Sequence, residues 1–207
     1  MGLSRRELAE CVPGVALPDG IEPRYNIAPT QPVLVLRVVE GRRRGERVRW
    51  GMETVVPAGR PRTLINVRAE TLLERGQGGR ERVLVPATHF FEWRRGRPML
   101  IAPRERLMAF AGLVVDGAAL AIVTCSPNRT LAEIHDRMPV VVDRAAWERW
   151  LDPRVPLDAL GDVLRACPDD ALRVTPASIS VNDVANDGPA VLRPAAGETV
   201  QTELPFS

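Results

Sequence analysis

Residues 82 to 123 place the strongest constraint on the fold. Short runs at 82–86, 90–94, 99–101, 108–115 and 118–123 are rich in β-branched, aromatic and other apolar residues. Arg95-Gly96 and Asp116-Gly117 fall between runs, where a tight hairpin needs residues that tolerate positive φ. Runs this short, joined by turns this tight, predict consecutive strands that pair antiparallel. Upstream, 33–39 and 48–54 predict another hairpin across a turn over 41–45, and 64–67 a further strand. Helical patterns are fewer: 69–75, 131–135, 143–151 with Asp143 as N-cap, and 157–167. Ser4 and Glu7 have capping-box spacing ahead of Leu8, which opens a short helix almost at once. The sum is an α+β fold in one domain over 1–207, with a loop at 76–79 and a tail from about 195 loosely held.

The apolar stretches at 110–115 and 118–123 fall well short of the roughly 20 residues a membrane helix needs. The first residues, Met1-Gly2-Leu3-Ser4-Arg5-Arg6, have no apolar core for a secretory signal, so the expected location is the cytoplasm. Three scattered cysteines argue against a disulfide framework or a CxxC zinc site, and two histidines cannot build a histidine cluster; neither metal nor cofactor is expected. The net charge is only +2, but all 28 basic residues are arginine, whose planar fork suits phosphate. GC-rich coding alone could produce the same bias.

Several segments put polar groups inside or beside apolar runs, where an unpaired group is costly to bury. In Arg24-Tyr25-Asn26-Ile27-Ala28-Pro29-Thr30-Gln31, a capped loop accounts for the residues as well as a binding role does. Asn66 and Arg68 would share one face of a strand, able to hold a phosphate or sugar oxygen, or Arg68 would form an internal ion pair with Glu70 or Glu92. Glu92 lies between Phe91 and Trp93. Apolar walls would raise its pKa and suit it to general acid work, whereas strand alternation could instead turn it to solvent. The fourth segment has Thr124 to Asn128 followed by Ile134-His135-Asp136-Arg137-Met138-Pro139, where His135 either shuttles protons or is structural.

Taken in order, R-Y-N-x-A-P-T-Q, N-x-R-x-E, F-x-E-W and I-H-D-R-M-P resemble the SOS response-associated peptidase (SRAP) family, and Val181-Asn182 with Asn186-Asp187-Gly188-Pro189 is similar to its C-terminal stretch. The resemblance spans nearly the whole chain. It implies a barrel-like antiparallel sheet with flanking short helices, a groove for single-stranded DNA carrying abasic sites, and a monomer associated with the nucleoid during DNA damage. In that family an N-terminal cysteine condenses with the ring-opened sugar: its amine forms an imine and its thiol closes a thiazolidine. The resemblance assigns Asn66 to positioning the reacting terminus, Glu92 to acid/base chemistry at the sugar, and His135 to a second proton transfer. It assigns Arg68 and Arg137 to phosphates, Trp50-Gly51 to a wedge beside the bases, Thr124 to the pocket lining, and Asn26 and Pro29 to further DNA contacts. Stacking on Trp50 would favour single strands over duplex.

The family begins Met-Cys-Gly-Arg, whereas this chain begins Met-Gly-Leu-Ser. Gly2 could supply an amine after Met removal but has no thiol. The expectation is a start assigned several codons late. The rival is a degenerate member that binds DNA without crosslinking it. The family's name also carries a cysteine peptidase activity directed at its own N-terminus. A small-molecule binding domain is a further alternative, opposed by the combination of Arg68, Arg137 and Trp50.

Overall fold

The computed structural model describes residues 2–55 and 61–194. In chain order the elements are α1 (Arg5–Cys11), β1 (Pro32–Val39), β2 (Arg42–Trp50), β3 (Met52–Val55), β4 (Pro61–Leu64), β5 (Asn66–Arg68), α2 (Ala69–Arg75) and β6 (Glu81–Ala87). There follow β7 (Phe90–Arg94), β8 (Arg97–Pro103), β9 (Met108–Val115), β10 (Ala119–Cys125), α3 (Arg129–Ala132), β11 (Met138–Pro139), α4 (Trp147–Leu151) and β12 (Leu172–Pro176). The α+β class is as the sequence indicates, and among the described residues no helix is long and apolar enough to cross a membrane. The tail from 195 lies outside the described residues.

The main sheet closes on itself. β1 pairs with β2 and β6, β6 with β9, β9 with β10, and β10 returns to β2. Closure leaves one inner face, packed with Val35, Val83, Val114 and Leu120, each at most 1% exposed. Three hairpins turn on pairs with positive φ: Glu40-Gly41, Arg95-Gly96 and Asp116-Gly117, the backbone that matches the twist of the strands they join. β10 is almost wholly buried and uses both edges twice, pairing with β2 and β5 on one side and β9 and β11 on the other. Its pairings with β2 and β5 are parallel, against the antiparallel expectation. The β3–β4 hairpin lies between those two strands in the chain, giving β5 the length to return in the same direction. A separate antiparallel sheet, β7–β8–β12, packs on the barrel through the edge-to-face contact of Phe90 with Phe110, 5.6 Å between centroids.

Other boundaries differ from the sequence reading for local reasons. The 41–45 turn shrinks to Glu40-Gly41, and Arg42 to Arg44 join β2, where they pair with 37–39. The 48–54 run breaks at Gly51, whose φ of 130° diverts the chain from β2 into β3, and 64–67 breaks at Ile65. The 131–135 helix starts two residues earlier and ends at Ala132, capped by Asn128. Residues 143–151 begin as a 3-10 turn capped by Asp143 and continue as α4. Over 157–167 only Leu157–Leu160 is helical, and as a 3-10 turn; the apolar periodicity there reflects tight turns burying Leu160, Val163 and Leu164.

Candidate functional site

Between the barrel and the three-stranded sheet lies an open cavity of about 670 Å³. Its floor is apolar, formed by barrel residues such as Val85, Phe110 and Ile122, and its rim carries Trp93, Asn182 and Val184. Asn66, Glu92, Thr124, His135, Arg137, Trp50, Asn26 and Pro29, far apart in the sequence, all line it. Arg68, Gly51 and Gly2 do not.

β10 organises one wall. Its parallel register with β5 sets Asn66 beside Ile122 and Arg68 beside Thr124, and its other edge pairs Thr124 with Pro139. Asn66, Thr124 and the residues just before β11 therefore converge at one end of the barrel. The second wall is β7, where Glu92 faces the cavity. Burial raises the Glu92 pKa; the nearby His135 charge opposes that rise and Asp136 adds to it. A carboxyl that holds its proton toward neutral pH is suited to donating it. His135 follows α3. Its Nδ1 lies 3.0 Å from the Arg137 backbone nitrogen, which donates to it, and 3.2 Å from Asp136 Oδ1. That nitrogen thus has a donor for the neutral ring and an acceptor for the protonated one, so either form of the ring is hydrogen-bonded where it stands.

Trp50 is fixed at three points. Its indole donates to the Ile65 carbonyl at 3.0 Å, its backbone nitrogen donates to Gln31 O, and its carbonyl accepts from Thr30 N. Gly51 contributes through its backbone: a Cβ there would lie 2.6 Å from Thr63 Cγ2. Asn26 is 7% exposed, and its amide donates to the carbonyls of Val181, Asp183 and Asn186. Asp187 completes this clamp by accepting from the backbone nitrogens of Tyr25 and Asn26 and from Arg24. The 181–187 stretch is thereby fastened to the cavity wall.

Arg137 donates from Nη1 and Nη2 to the two Glu70 oxygens at 2.9 and 2.7 Å, and from Nη2 to Thr124 O at 2.7 Å. The ion pair considered for Glu70 therefore forms with Arg137. Arg68 is exposed and has no ion pair among the described residues.

Sequence reasoning did not single out His89, a cavity residue stacked on Tyr25 and edge-on to Phe91. Its Nε2 lies 2.9 Å from Tyr25 O, which can only accept, so Nδ1 of the neutral ring accepts from the Thr88 hydroxyl. The Thr88 oxygen in turn accepts from Gly2 N at 2.9 Å. A Cβ on Gly2 would lie 2.8 Å from the Tyr25 ring, so position 2 as placed here has no room for a side chain unless that ring moves. No spacing in the sequence pairs His89 with Tyr25; only the fold brings them together.

Comparison with known proteins agrees with this architecture. The family model described as SOS response associated peptidase (SRAP) matches residues 3–184. The chain is 32% identical over 200 residues to the abasic site processing protein YoqW of Bacillus subtilis, covering 85% of this chain and 88% of that one. It is 34% identical over 161 residues to YobE of Bacillus subtilis, covering 67% and 73%, and 26% identical over 196 residues to YedK of Escherichia coli, covering 83% and 84%. Both carry the same description, abasic site processing protein. A crystal structure of a Bacteroides thetaiotaomicron protein shares the fold, with a TM-score of 0.63 at 19% identity over 81% of this chain and 82% of that one.

Proposed function

The chain belongs to the SOS response-associated peptidase family, and we propose on that basis that it processes abasic sites in single-stranded DNA during the response to DNA damage, forming a covalent link to the lesion. The observation that carries this reading is Glu92: a carboxyl shielded on the cavity wall, with His135 close enough to influence its charge and Asn66 lining the same space. Arg68, Arg137 and Trp50 add phosphate and stacking chemistry at one end of the barrel, a combination suited to an unpaired strand.

In the proposed chemistry, protonated Glu92 donates to the sugar ring oxygen as the C1′–O4′ bond breaks and the C1′ hydroxyl gives up its proton to water, opening the abasic deoxyribose to its C1′ aldehyde. An amine adds to that carbon, water leaves with help from His135, and an imine forms. A thiol on the same residue then adds to the imine carbon, and its proton passes to the nitrogen, closing a thiazolidine. The chain as given has Gly2 and no thiol there. The thiol step therefore applies to a protein that carries the family's Met-Cys-Gly-Arg start.

The test incubates the protein as given, and the protein extended upstream with Met-Cys-Gly-Arg, with single-stranded DNA carrying one abasic site, and resolves the products on a denaturing gel. A heat-stable adduct from the extended protein alone, weakened by Glu92→Gln or Asn66→Ala, is the expected result. If neither protein crosslinks while both retain the strand, the function reduces to binding.

A further inference from the structure

We propose that Glu70 acts as a phosphate surrogate, holding Arg137 closed in the free protein and thereby setting how strongly the site takes hold of a nucleic-acid backbone. The inference rests on reading the cavity as a DNA site and concerns a residue to which that reading gives no role.

The geometry distinguishes a competitor from a support. A carboxylate that merely presented an arginine would engage one edge of the guanidinium and leave another facing the ligand. Here both terminal nitrogens go to Glu70, and Nη2 also goes to Thr124 O. Nε is sealed from solvent with no hydrogen-bond partner among the described residues. Little of the fork is left for an incoming phosphate, which recognises an arginine through the same paired geometry as a carboxylate. A phosphate that uses Arg137 must therefore displace Glu70.

Displacement is feasible because the two partners differ in exposure. The Arg137 side chain is 20% exposed and anchored, whereas that of Glu70 is 50% exposed, in the first turn of α2, and can swing into water. Arg68 immediately precedes α2 and lies opposite Thr124 across the β5–β10 pairing. A strand reaching the site would meet the exposed Arg68 first and then exchange with Glu70 at Arg137. Glu70 also sits close enough to Arg68 for that charge to favour its carboxylate form, which keeps it paired with Arg137 until a phosphate replaces it.

The test measures fluorescence anisotropy of a labelled single-stranded oligonucleotide across a salt series, with wild-type protein, Glu70→Gln, Glu70→Ala, Arg68→Ala, Arg137→Ala and the Glu70→Gln/Arg137→Ala double variant. Removing one negative charge beside the phosphate path should tighten binding roughly three- to tenfold at low salt. It should also steepen the salt dependence by about 0.7 in log–log slope, one phosphate's worth on a single strand. In the Arg137→Ala background the Glu70 substitution should change affinity by less than about twofold, because the competition it relieves is gone. Weaker binding by both Glu70 variants with unchanged melting temperature would make Glu70 a support for Arg137 and overturn the proposal. Equal tightening with and without Arg137 would overturn it as well, reducing Glu70 to a general repulsive charge. If wild-type protein does not bind the strand, or Arg68→Ala leaves binding unchanged, the DNA reading of the site fails and this inference falls with it.

Discussion

The side-chain amide of Asn26 donates to the Val181 carbonyl at 2.9 Å, joining residues 155 positions apart. Two further carbonyls, of Asp183 and Asn186, converge on the same amide, so the group is committed to fastening the C-terminal stretch. Asn26→Ala should leave the buried Val181 carbonyl short of its donor, costing about 1–3 kcal/mol. For a chain of this size that lowers the melting temperature by about 2–4 °C per kcal/mol. Calorimetry checks the loss; an unchanged melting temperature would return Asn26 to the list of DNA contacts.

Glu92 leads to a pH dependence with a defined sign. Burial raises its folded pKa above the ordinary 4.5, so between the unfolded and folded values the native state holds more protons and stability falls as pH rises. Glu92→Gln removes that penalty. It should melt close to wild type near pH 4 and higher than wild type near pH 7. Adduct formation by the cysteine-extended protein should fall by about 10²–10⁴ in the same variant if Glu92 is the general acid. Melting curves at the two pH values and adduct time courses separate the structural effect from the chemical one.

His89 has the opposite sign. Burial lowers its pKa below 6.5, opposed by the hydrogen bond to Tyr25, so its neutral form belongs to the native state. The stability this contributes is complete above about pH 6.5 and is lost as pH falls through the lower folded value. The ring also joins the turn before β7 to the Tyr25 loop, and Thr88 links both to Gly2. In His89→Gln the melting temperature should be lower at pH 7.5 and should lose part of the wild-type decline between pH 7 and pH 5. A decline of the same steepness in the variant would locate the acid sensitivity elsewhere.

The local code for the barrel was readable in the chain because its hairpins are tight. Arg95-Gly96 and Asp116-Gly117 announce turns that residues without Gly would strain, and the runs around them are too short for anything but strands. Glu40-Gly41 was harder to read, because the following arginines resemble a loop while in fact pairing along β2. Parallel pairing of β10 with β2 and β5 was not readable: it depends on where a strand returns after a hairpin, and no residue of β5 encodes that. The site divides in the same way. Asn66, Glu92, His135 and Arg137 stand in compact motifs and line one cavity, whereas the His89–Tyr25 contact and the Glu70–Arg137 pair span 64 and 67 residues. Asn26 shows the limit from the other side, since its motif marks a polar residue but not the carbonyls that use it.

Gly51 and Trp50 should respond to substitution for different reasons. At Gly51 the φ of 130° disfavours any L side chain, and a Cβ would press on Thr63. Gly51→Ala should therefore cost about 1–3 kcal/mol of stability, even though Gly51 itself does not face the cavity. Trp50 is only half-buried, and its indole nitrogen already serves Ile65 O, leaving the ring as its contribution to the cavity. If a base stacks there, Trp50→Phe should retain most of the affinity for single-stranded DNA, and Trp50→Leu should lose about 1–3 kcal/mol, roughly 5- to 150-fold in Kd. The comparison depends on both variants folding, so melting curves accompany the binding isotherms. Equal losses in Phe and Leu would assign the effect to the missing Ile65 hydrogen bond, and no loss in either would remove Trp50 from the nucleic-acid surface.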